Sequence, residues 1–114
     1  MRDARERLHH ILDAIERIGR YAARGEGAFR TDELIQNWFL RHLQVIGEAA
    51  GKLSQAWRSG HPEVPWVTVV GMRKVLMHEY FGIDLDVVWK AVTAGVPIRR
   101  RTIEAVLREV EPLR

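Results

Sequence analysis

An arginine, four residues, a histidine, one residue and a tyrosine stand in the order Arg73, His78, Tyr80 inside the largely apolar stretch from Val69 to Gly82. Each residue type suits phosphate or proton chemistry. Arginine offers a planar fork of donors to phosphate oxygens, and histidine can accept and return a proton near neutral pH. Cutting RNA without a metal needs a group to take the proton from the 2′-hydroxyl, a group to protonate the leaving oxygen, and fixed positive charge on the phosphate. His78 and Arg73 supply these, provided that one histidine acts twice or two chains give one each. Taken singly, such residues are more often a solvated charge or a hydrogen-bonded boundary residue.

On one regular helix each residue advances about 100°, so Arg73 and Tyr80 share a stripe and His78 falls to one side. Convergence therefore requires the helix to end near His78, with Gly82 as a break, or a second copy to complete the site across a twofold axis. We expect both.

The positioning elements are helical. From Asp3 to about Arg24, Leu8, Ile11, Leu12, Ile15 and Ile18 recur at helical spacing, and Gly25-Glu26-Gly27 reads as a turn. A second helix is expected from a Thr31 or Asp32 cap to about Trp57, with His42 on its apolar stripe, which is wider than one neighbour requires. Within it Glu48 sits among Gly47, Ala49, Ala50 and Gly51. Its carboxylate either faces water or pairs with a base such as Arg73. Residues 58–65 read as a loop, Pro65-Trp66 opens a third helix bearing Arg73 and Lys74, and Asp84 caps a fourth that closes near Gly95, after which Pro97 starts a last helix. The fold class is all-α, an antiparallel bundle of about four to five helices forming a single domain over 1–114.

Composition narrows the function. With 46% hydrophobic and 29% charged residues among 114 the chain is globular, and without cysteine it has neither disulfides nor thiolate metal sites. The charged start gives no expectation of a signal peptide, and no apolar run is long enough for a membrane span, so a cytoplasmic location is expected. The net charge of +3 is mild. The Arg99-Arg100-Arg101 run either draws phosphates or is a solvated helix start. No phosphate loop or zinc helix motif is present, His9 and His10 face different ways, and His42 and His61 lack suitable neighbours in sequence. No metal or cofactor is expected.

The Arg73-x-x-x-x-His78-x-Tyr80 pattern resembles the signature of the HEPN superfamily. Within it the chain resembles HepT-like toxins encoded beside a minimal nucleotidyltransferase antitoxin of the MntA type, a type VII toxin–antitoxin pair. Val45-Ile46-Gly47-Glu48-Ala49-Ala50, Pro65-Trp66, Gly71-Met72-Arg73, His78-Glu79-Tyr80-Phe81 and the stretch from Asp84 to Trp89 follow the family order. The resemblance implies a homodimer with a shared cleft, metal-independent cleavage of RNA, and silencing by attachment of AMP to Tyr80. Glu48 would orient Arg73. Lys74 departs from the small polar residue common after the arginine; it either adds phosphate affinity or marks drifted catalytic geometry. The alternative is a catalytically idle module that binds nucleotide or nucleic acid and partners a nucleotidyltransferase.

Overall fold

Helix α1 (Arg2–Ala22) buries one stripe, Ala4, Leu8, Ile11, Ala14, Ile15 and Ile18, against the rest of the core. In the computed structural model, which describes residues 2–77 and 84–110, with side chains for 4–71 and 84–110, the chain folds as an all-helical bundle with no strand among the described residues.

The expected turn at residues 25–27 is only partly a turn. Gly25 turns the chain at a φ of 92°, a backbone region costly for other residues. A short helix, α2 (Glu26–Thr31), follows at once. Its anchor is Phe29, fully buried and stacked against both Phe39 and Trp89, with ring centroids 5.3 Å from each. Charge–glycine spacing in the sequence hides this helix because a six-residue element shows a single apolar position. Arg30 ties it outward, pairing with Glu26 at 2.7 Å and with Asp86. Hydrogen bonding to Asp86, then to Glu26, pushes the Arg30 guanidinium above its ordinary pKa.

Asp32 caps α3 (Glu33–Gly51), accepting from the Leu34 N–H at 2.9 Å. The helix stops before the expected Trp57: Lys52 closes it, and Ser54 caps a separate short helix, α4 (Gln55–Ser59), by accepting from the Trp57 N–H at 3.1 Å. Helix α5 (Trp66–Met77) follows the loop over 60–65, as Pro65 predicts. Asp84 caps α6 (Leu85–Lys90) by accepting from the Val87 N–H at 3.2 Å.

Beyond α6 the expected break does not occur. A π turn (Ala91–Gly95) leads directly into α7 (Val96–Val110), and the Val96 N–H bonds to the Ala91 carbonyl. Pro97 explains the widened turn. A proline inside an α-helix removes a donor and crowds the carbonyl four residues back, and one extra residue in the preceding turn relieves both.

Helix α3 is the spine. It packs on α1 and on α5, and α7 packs on the other flank of α1. Trp38 fixes the α1–α3 register, its Nε1–H donating to the Arg17 carbonyl at 2.8 Å while its ring meets Tyr21 edge-on at 5.2 Å. No helix among the described residues is long and apolar enough to cross a membrane.

Candidate functional site

The helix that carries the motif is held at its start. The Trp66 Nε1–H donates to the His61 carbonyl at 2.9 Å, Trp57 meets Trp66 with centroids 5.8 Å apart, and the Val69 N–H bonds to the Pro65 carbonyl at 3.1 Å. Trp66 and Val69 are buried. Farther along, a Cβ built on Gly51 of α3 would lie 3.9 Å from the Val70 Cγ1, an ordinary contact that marks where α3 and α5 meet closely.

Arg73 and Lys74 lie on α5, in its last two turns before Met77. His78 and Tyr80 lie outside the described residues. Glu48 is exposed on α3, with no basic partner among the described residues. Burial therefore does not oblige its carboxylate to pair. Glu48 stands three positions before Gly51, and Arg73 three positions after Val70. At about 1.5 Å rise per residue, both positions lie within roughly a turn of the same α3–α5 contact.

Glu48, Arg73 and Lys74 thus belong to the same end of the α3–α5 helix pair. The chain matches the family described as Ribonuclease HepT-like over residues 11–106, a span that contains the whole Arg73-to-Tyr80 motif. It is a member of the HepT-like ribonuclease family. Among its relatives, a Caldanaerobacter subterraneus protein whose name proposes an RNase is 33% identical over 110 residues, covering 96% of this chain and 98% of that one. A Thermococcus cleftensis protein named "Probable ribonuclease HepT" is 35% identical over 97 residues, covering 84% of this chain and 88% of that one. A Methanocaldococcus jannaschii protein whose name joins gamma-glutamylcyclotransferase to a proposed RNase is 32% identical over 111 residues; the chain spans 50% of its length. No solved structure matches.

Two further groupings in this HepT-like chain are not evident from local spacing. A groove of about 310 Å³ between α1 and α3 is lined by His10, Asp13, Arg17, Trp38, Arg41 and His42 among others. His42 is buried, and its Nδ1 lies 2.8 Å from the Trp38 carbonyl. With the proton on Nδ1 that contact is a donated hydrogen bond, so His42 is the satisfied core histidine of α3. The second grouping is His61, Glu63 and Glu109, whose ligand atoms all lie within 4.8 Å of one another. The expectation that His61 lacks suitable neighbours is thus corrected. Glu109 stands far along the chain on α7, and only the fold brings it to the loop.

The arginine run is divided by the turn of α7. Arg100 and Arg101 are exposed on the rim of a groove of about 540 Å³ floored by Ile15, Ile18, Ala22, Val92 and Val96, whereas Arg99 is half-buried. Arg100 also faces Glu104 at 3.6 Å.

Proposed function

We propose that this chain is a metal-independent endoribonuclease, the cytoplasmic toxin of a HepT/MntA-like pair, acting as a single-domain homodimer. Arg73 holds the scissile phosphate, and Lys74 adds positive charge beside it. His78 takes the 2′-hydroxyl proton and, as imidazolium, returns a proton to the leaving 5′-oxygen; the partner chain's copy can share the two steps. Glu48 orients Arg73. The observation that carries the reading is the family match over residues 11–106, which contains Arg73, His78 and Tyr80 in their spacing. The names of the relatives support the same activity.

Tyr80 is the regulatory position. A nucleotidyltransferase partner joins its phenolic oxygen to the α-phosphorus of ATP and releases pyrophosphate, leaving AMP on the tyrosine. A phosphate and a purine added beside Arg73 and His78 would fill the positive pocket and repel substrate phosphate.

The test is induction of the chain alone in a bacterium against His78→Ala at matched expression, with total RNA examined. Growth arrest and RNA fragmentation by the parent, reduced by about 10²–10⁴-fold in cleavage rate for the variant, is the expected result for loss of a general acid–base. Harmless expression of both with RNA intact, and no AMP on the chain after co-expression with the adjacent nucleotidyltransferase, would refute it and leave the helical binding module.

A further inference from the structure

We propose that His61, Glu63 and Glu109 form a site for a first-row divalent metal ion, zinc by preference, that staples the loop before α5 to the end of α7. The imidazole is fixed in advance. Its ring lies on Trp57 with centroids 4.3 Å apart, and its backbone is locked on both sides. The His61 N–H donates to the Arg58 carbonyl at 3.0 Å, while the His61 carbonyl accepts from the Trp66 Nε1–H at 2.9 Å and the Val64 N–H at 3.3 Å.

The Nδ1 of this held ring is buried and makes no hydrogen bond. Buried polar atoms nearly always find a partner, and an ion is one explanation for an exception. What Nδ1 faces is Glu109 Oε2 at 3.7 Å and Glu63 Oε2 at 3.9 Å, both beyond hydrogen-bond length. A tetrahedral zinc with bonds of about 2.0–2.2 Å sets neighbouring ligand atoms roughly 3.4 Å apart. The two nitrogen–oxygen gaps need to close by only a few tenths of an ångström, and the carboxylates, 41% and 63% exposed, are free to make that adjustment. Among the described residues, His61 is the one basic group within 4.0 Å of either carboxylate. Two carboxylates and an imidazole lone pair together call for a cation, and the imidazole favours a transition metal over calcium or magnesium. Three protein ligands leave the fourth position to water. The ion serves the scaffold: it would join α7 to the loop from which α5 departs, and it takes no part in the phosphate chemistry.

Tag-free protein stripped with chelator is titrated with zinc chloride by calorimetry, with manganese and magnesium chlorides in parallel, and its Tm is measured with and without zinc. One zinc per chain is expected, with Tm rising by about 10 °C at a hundredfold excess over Kd. Glu63→Gln and Glu109→Gln, at exposed positions, should keep the helical spectrum and each weaken zinc at least tenfold. Zinc bound equally by both variants would place the metal elsewhere and overturn the proposal. So would the absence of zinc binding.

Discussion

Phe29→Ala tests whether α2 is a structural element or a decorated turn. Phe29 has no exposed surface and packs in a three-ring cluster with Phe39 from α3 and Trp89 from α6, whose own centroids lie 6.4 Å apart. Truncating a buried phenylalanine costs about 3–5 kcal/mol. Both aromatic contacts are lost, each worth about 0.5–1.5 kcal/mol beyond area in favourable geometry, so about 4 kcal/mol is expected. For a chain of this size that corresponds to a fall in Tm of roughly 15 °C, a large share of the roughly 5–15 kcal/mol that holds a typical domain folded. Urea unfolding followed by far-UV circular dichroism gives the free energy. The near-ultraviolet signal, compared with that of the Trp89→Phe variant, reports the lost stacking. Phe29→Leu should recover more than half of the loss, because volume is largely kept. A cost below about 1.5 kcal/mol for Phe29→Ala, outside the range for a buried ring, would show that the side chain is not packed into the aromatic cluster and that α2 adds little to the core.

Two glycines should respond in opposite directions. Gly25→Ala is expected to lower stability by about 1–2 kcal/mol, because the φ of 92° is costly for an L-residue although nothing crowds the new methyl. Gly95→Ala, at a helical position with nothing within 4 Å of its added Cβ, should raise stability by about 0.5–1 kcal/mol; destabilisation would instead indicate a helix end there. Asp84→Ala removes the cap accepting from the Val87 N–H and should cost about 1 kcal/mol in urea unfolding. A cost indistinguishable from zero would remove that cap from the account of how α6 begins.

The sequence was most informative where a helix is long and one-sided. Leu8, Ile11, Ile15 and Ile18 set α1 by spacing alone, and Asp32 and Asp84 act as the caps their side chains suit. It was least informative where a boundary depends on packing or on a single residue. Gly95 and Pro97 carry stop and start signals, yet the buried positions of Val92, Val96, Ile103 and Val106 run through them on one continuous helix whose π turn absorbs the proline. Arg73 and Lys74 occupy α5 as expected, and Glu48 occupies α3 but faces solvent. The His61 cluster was illegible because Glu109 meets the loop only after α7 has folded back, and spacing rules compare residues along the chain.

The width of the apolar stripe on α3 is accounted for within a single chain. Ile35, Phe39, His42, Leu43, Ile46, Ala49 and Ala50 are all buried, more than one neighbouring helix would require. A second copy of the chain is one way to cover such a stripe. Within one chain, however, α1 lies along one side of α3 and α5 along another, with α2 and α6 contributing at its start, so the stripe is already used. The case for a twofold assembly passes to α5. That helix is apolar at four of its first five positions, Trp66, Val67, Val69 and Val70, which is more than α3 can cover from one side. Trp66 and Val69 turn inward, and Val67 remains 88% exposed. An uncovered valine on the helix that carries Arg73 offers a partner's surface an apolar contact beside the motif. Exchanging Val67 for a charged residue should therefore weaken self-association while leaving the monomer's stability within about 0.5 kcal/mol. Sedimentation of Val67→Glu beside the parent measures the first and urea unfolding the second. Unchanged association would move the interface off this face of α5.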